Sequence, residues 1–79
     1  MIIVYLKKKD KYYIFERIWG GKQEFINFIH FLESSRGFHC KEKKPYTYEC
    51  TSPENEHFLI TLSTGSGEPE SEYLSYLSP

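Results

Sequence analysis

The chain predicts a small α+β domain: an antiparallel sheet in ββαβββ order with one amphipathic helix packed on one face. Three observations predict it. Four short runs rich in β-branched and aromatic residues, and a fifth, 38–42, that pairs with one of them as a hairpin, are separated by turn residues. A single stretch, residues 22–36, repeats its apolar residues at helical spacing. The connections between these segments are short, which favours antiparallel neighbours over parallel crossovers.

The elements follow in chain order. Ile2-Ile3-Val4-Tyr5-Leu6 has the stiff, broad side chains that suit a pleated surface. Lys8-Lys9-Asp10-Lys11 is a polar break of turn length, and residues 12–19 resume strand character, which makes an N-terminal hairpin. Strict alternation puts Tyr12, Ile14, Glu16 and Ile18 on one face of that strand and Tyr13, Phe15, Arg17 and Trp19 on the other. Gly20-Gly21 interrupts the pattern. Phe25, Ile26, Phe28, Ile29, Phe31 and Leu32 then form an apolar arc at helical spacing, with Gly37 suited to the position just past the helix end. Phe31 falls at the edge of that arc and is the ring expected at the surface. A second hairpin covers 38–42 and 46–51 about Lys43-Lys44-Pro45, residues 52–56 form a loop, and 57–63 a fifth strand. Residues 1–63 are thus one domain, 64–72 an acidic linker without core potential, and 73–79 a short docking segment carrying Tyr73, Leu74, Tyr76 and Leu77.

Seventy-nine residues lie near the lower limit for a single apolar core. Aromatics compensate, at 18% of the chain, because each large ring encloses roughly 150–250 Å². So small a core cannot enclose them all, and the surplus belongs at the surface, where Tyr and Trp favour recognition. No apolar run reaches the ~20 residues that span a bilayer. The short apolar start is followed by charge rather than preceded by it, which reads as the mature start of a cytoplasmic protein.

Charge is segregated along the sequence. Residues 1–44 hold all ten basic groups and five acidic ones, whereas residues 45–79 hold six Glu and no base. Such asymmetry speaks of partners more than of fold. The expected threading cancels much of it. It sends the first lysine group, Lys7, Lys8, Lys9 and Lys11, to one end of the sheet and Lys41, Lys43 and Lys44 to the other. Glu54 and Glu56 return beside the first group.

Several residue sets invite a chemical reading. With a turn centred on Pro45, Cys40 faces Cys50 at a spacing that admits a cross-strand disulfide. The alternative, two reduced thiols buried as small apolar residues, is the expectation in a reducing cytoplasm. His39, Cys40, Cys50 and His57 are zinc-ligand types without zinc-ligand spacing, and no metal or cofactor is expected. His30 and Glu33 lack a nucleophile or oxyanion donor, so they read as a solvated helix face. Gly65-Ser66-Gly67 lacks the lysine and the strand–loop–helix setting of a phosphate loop. No catalytic constellation emerges.

The leading expectation is therefore a non-enzymatic protein-binding module. Glu54, Glu56, Glu68, Glu70 and Glu72, with Tyr73, Tyr76 and Phe31, would meet a larger protein or complex with a basic surface, by charge steering and then ring burial. An inhibitor of a nucleic-acid-handling complex would use such a surface, with carboxylates standing where phosphates sit. Small inhibitors carried by mobile elements, anti-CRISPR proteins among them, share this general size and design, though no motif here matches a family. The alternative is a small RNA- or DNA-binding protein that uses Lys7, Lys8, Lys9 and Lys11 with Tyr12 and Tyr13. A homodimer seamed by Tyr13, Phe15 and Trp19 is a further possibility, if the sheet face opposite the helix is bare.

Overall fold

The computed structural model describes residues 1–63. Their elements are β1 (Ile2–Lys8), β2 (Lys11–Ile18), α1 (Lys22–Ser35), β3 (His39–Lys44), β4 (Thr47–Thr51) and β5 (His57–Leu62). All five strands belong to one antiparallel sheet, in the order β2-β1-β5-β4-β3. The small α+β class is as expected. The expected linker and docking segment, with Glu68, Glu70, Glu72, Tyr73 and Tyr76, lie outside the described residues. No helix among the described residues is long and apolar enough to cross a membrane.

Local chemistry fixes the helix ends. The Glu24 carboxylate reaches back to accept the Gly21 N–H at 2.9 Å, which satisfies a donor the first turn would leave unpaired. A Cβ on Gly20 would lie 2.6 Å from Glu24 Cβ, so the chain can enter the helix this closely only at glycine. At the other end Gly37 takes φ +71°, and the reversal brings the Phe38 N–H to Leu32 O at 3.0 Å. The helix buries Phe25, Ile29 and Leu32, while Ile26 and Phe31 stay partly exposed.

That buried stripe packs on one sheet face with Ile2, Val4, Cys50, Phe58, Ile60 and Leu62. Phe25 is fully buried, with the rings of Tyr46 and Tyr48 each 5.8 Å away. On the opposite face Ile3, Tyr5 and Leu59 form a second apolar cluster, bordered by Met1, Tyr12 and Ile14. Ser63 N–H donates to Met1 O at 2.8 Å, and the Met1 amine donates to Ser63 O at 3.0 Å, so β5 ends beside the start of β1.

Two irregularities of register decide where side chains go. In the first hairpin Val4 pairs with Glu16 but Tyr5 pairs with Ile14, which leaves Phe15 as an extra residue in β2. This β-bulge reverses the alternation expected for β2, because a one-residue insertion shifts everything beyond it to the other face. Tyr12 and Ile14 join the cluster away from the helix, Ile18 packs with the helix-side core, and Phe15 turns to the helix side, where its ring meets Phe58 edge-on at 5.6 Å. The expected grouping of Tyr12 and Ile14 with Ile18 is therefore wrong. So is the expected homodimer seam on the face opposite the helix, since Tyr13, opposite Leu6, and Phe15 both lie on the helix side.

The second irregularity preserves an expectation. The second turn is Pro45-Tyr46, one step later than expected, but Lys43 is left out of the ladder and restores the register. Cys40 consequently faces Cys50, and the two are joined as a disulfide with Cα atoms 4.0 Å apart. The preference for reduced thiols is overturned. Directly opposed positions on adjacent strands hold the sulfurs together.

Candidate functional site

The helix does not cover its whole sheet face. Between α1 and the β2 edge lies a groove of about 170 Å³. Val4, Phe58 and Ile60 form its floor, Phe28 and Leu32 its helix wall, and Phe15 and Phe38 close it. Phe38 and Phe58 are 5.7 Å apart. Phe15 stands over this groove with 60% of its surface exposed, and Tyr13, two residues along the same strand, is 53% exposed. The two rings present roughly 200 Å² of aromatic surface to solvent, given the area such rings carry. Trp19, just past the end of β2, is 83% exposed. Aromatics beside a half-open apolar groove, on the edge strand of the sheet formed by the described residues, form the strongest recognition feature among those residues.

The bulge is what builds this strip. Without it Tyr13 and Phe15 could not both lie on the face that carries Ile18 and the helix. Charge frames the strip unevenly: Lys8 and Lys9 border the hollow lined by Leu6, Tyr13 and Phe15, and Glu16 borders the groove further down.

The other expected residues sit as follows. Lys7, Lys8, Lys9 and Lys11 are exposed at the tip of the first hairpin, where Lys9 adopts φ +58°. Lys41, Lys43 and Lys44 lie at the opposite end of the sheet, since Leu6 pairs with Phe58 and Thr51 with both His57 and His39. Glu54 and Glu56 belong to the exposed loop at the first lysine end, so both signs of charge are present there. Lys43 Nζ and Glu49 Oε1 are 3.6 Å apart at the surface, a pair worth little in water. Phe31 is 44% exposed, on the helix, with the Arg36 guanidinium 5.2 Å from its ring centre. It is absent from the groove lining.

Tyr12 and Tyr13 part company across the sheet. Tyr12 lies on the face away from the helix, with Lys7 Nζ 5.9 Å from its ring centre. It borders a shallow polar cleft of about 130 Å³ with Lys7, Glu49, Thr51 and His57. There His57 Nδ1 and Thr51 Oγ1 lie 3.4 Å apart. Burial, and then the Glu49 carboxylate, push the Tyr12 phenol up from its ordinary value, so it remains a protonated donor. Of the four zinc-type residues, the two cysteines are consumed by their disulfide, and among the described residues no three His, Cys, Asp or Glu side chains gather as metal ligands.

Sequence reasoning placed Phe15 only in a homodimer seam on the opposite face and missed the groove, because strict alternation sends that ring to the wrong face. An available signal was the excess of rings in residues 12–19, which no one face of a single strand could bury. No protein-family profile, curated protein or solved structure matches the chain.

Proposed function

We propose that the chain is a small non-catalytic protein-binding module and that its contact face is the aromatic strip of Tyr13 and Phe15 over the helix-side groove. One observation carries this reading: a β-bulge holds Phe15 60% exposed above an apolar groove that α1 leaves open. Interface energy concentrates in aromatic anchors seated at pockets and ringed by polar groups, and the strip has that composition. The partner is a larger protein that inserts an apolar side chain between Phe15, Phe28 and Phe38. Inhibition of a nucleic-acid-handling complex in the cytoplasm is the narrower form of the reading. In that form Glu54 and Glu56, with the later carboxylates Glu68, Glu70 and Glu72, face basic residues on the target.

The second reading, nucleic-acid binding, is favoured by four exposed lysines on one hairpin with Tyr13 exposed beside them. Glu54 and Glu56 at the same end oppose it.

Affinity capture from source-cell lysate, with and without nuclease, separates the two. The tagged baits are the wild type, a Tyr13→Ser/Phe15→Ser variant and a Lys8→Glu/Lys9→Glu/Lys11→Glu variant. The module reading expects a stoichiometric protein that survives nuclease and is lost from the ring variant while that variant stays folded. Nucleic acid alone, lost from the lysine variant, would replace it with the second reading.

A further inference from the structure

The sheet has two faces and the described residues supply only one helix, yet the face away from it is dry. Ile3, Tyr5, Leu59 and Thr61 have no exposed surface, and Thr47 retains 2%. These residues sit on the three central strands in two adjacent rows. Tyr5 pairs with Leu59 and Ile3 with Thr61, and Thr61 pairs with Thr47 in turn. A central strand's neighbours shield its flanks, but they do not roof its outward side chains, which stand roughly perpendicular to the sheet. The dryness also has a boundary. Along the row nearest the lysine tip, Lys7 and His57 are exposed and Tyr12 and Thr51 only half-buried. Something therefore covers the part of the face nearer Ser63 and stops short of the hairpin tip.

We infer that the cover is the chain's own segment beyond Ser63, with Tyr73, Leu74, Tyr76 and Leu77 as the residues that meet Ile3, Tyr5 and Leu59. Three observations select this occupant. The described chain ends at the correct place, since Ser63 bonds to Met1 at the same end of the sheet as Ile3 and Thr61. The length suffices: residues 64–72 extended reach roughly 30 Å, whereas five strands span only about 19 Å from edge to edge. Charge agrees as well. Arg17 pairs with Ile3, and Lys41 and Lys44 lie on the far edge strand, so bases flank the dry patch on both sides. The segment beyond Ser63 brings Glu68, Glu70 and Glu72 and no base. This inference is independent of the binding role given to Tyr13 and Phe15, which lie on the other face; it competes only with the narrower inhibitor reading, in which Glu68, Glu70 and Glu72 face a target instead.

The test is solution NMR of the full chain, with the Ile and Leu methyl groups labelled and the Tyr rings assigned. The expected result is a set of nuclear Overhauser contacts from Tyr73 and Tyr76 ring protons to the Ile3 and Leu59 methyls. An equimolar mixture of labelled and unlabelled chain, recorded with isotope filtering, must leave those contacts within one molecule. Contacts between molecules would assign the cover to a second copy and overturn the inference. So would Ile3 and Leu59 methyls that contact no residue beyond Ser63. As a second readout, the full-length variant Tyr73→Ser/Leu74→Ser/Tyr76→Ser/Leu77→Ser should bind the apolar dye ANS at least severalfold more strongly than the wild type while retaining its far-ultraviolet dichroism. Unchanged dye binding would also overturn the inference.

Discussion

Phe25 and Phe15 have the same side chain in opposite settings, and replacing each with alanine tests whether the helix-side strip is free surface or core. Phe25 has no exposed surface and lies against the rings of Tyr46 and Tyr48. Removing a fully buried Phe costs about 3–5 kcal/mol, transfer and cavity together. A domain of this length has only about 4–12 kcal/mol in total, at the usual stability per residue. Phe15 is 60% exposed, so it contributes a minor part of the roughly 1.5–3 kcal/mol of full burial, about 1 kcal/mol. Its edge-on contact with Phe58 raises that to about 1.5–2 kcal/mol at most. Urea titration followed by circular dichroism reads both. With a slope of ~1 kcal/mol/M for so small a protein, Phe25→Ala should lower the midpoint by about 3 M or leave the chain unfolded. Phe15→Ala should lower it by about 1–2 M with the slope unchanged. Equal losses at the two positions would show Phe15 to be a core residue and refute the exposed strip.

Three further predictions follow from named features. Reducing the Cys40–Cys50 disulfide, or replacing both residues with alanine, should cost about 3 kcal/mol by loop-closure entropy for a loop of this size. The check is the urea midpoint with and without dithiothreitol, and identical midpoints would contradict it. The Glu24 carboxyl is held below its ordinary value, chiefly by the Gly21 N–H. Its contribution is therefore present above the unfolded-state pKa and lost as pH falls through the lower folded value, and Glu24→Gln should flatten that acid limb of a stability–pH profile. Lys9 holds φ +58°, a conformation that costs an L-residue about 1 kcal/mol or more. Part of this gain is lost to glycine's greater chain entropy, leaving a net stabilisation of about 0.5 kcal/mol for Lys9→Gly, or roughly 2–4 °C in thermal midpoint.

Most of the fold was legible because local signals agreed with one another. The turn residues bracketed each β-branched run, the arc at Phe25, Ile29 and Leu32 named the helix face, and short connections forced antiparallel pairing. The Cys40–Cys50 juxtaposition survived a turn displaced by one residue only because Lys43 bulges in compensation, and no pattern in the sequence announces that coincidence. The bulge at Phe15 carries no glycine, and its one signal in the sequence is the excess of rings in residues 12–19. It follows from the competition of Tyr12, Ile14, Phe15 and Ile18 for two faces, which only the assembled sheet resolves. That one-residue insertion separated the legible fold from the illegible site: it moved Tyr12 and Ile14 to the face opposite Ile18 and raised Phe15 over the groove. The oxidised state of the cysteines was likewise undecided by spacing, which allowed the bond without requiring it.

The most direct measurement of the central claim is the affinity of the purified captured partner for the wild type, for Phe15→Ser and for Phe31→Ser, each first shown to be folded. An anchor ring at the centre of an interface costs at least about 2 kcal/mol when removed. Phe15→Ser should therefore weaken binding by roughly thirtyfold or more, and Phe31→Ser, which lies off the strip, by less than about threefold. Loss at Phe31 with wild-type affinity at Phe15 would place the contact face elsewhere and contradict the account.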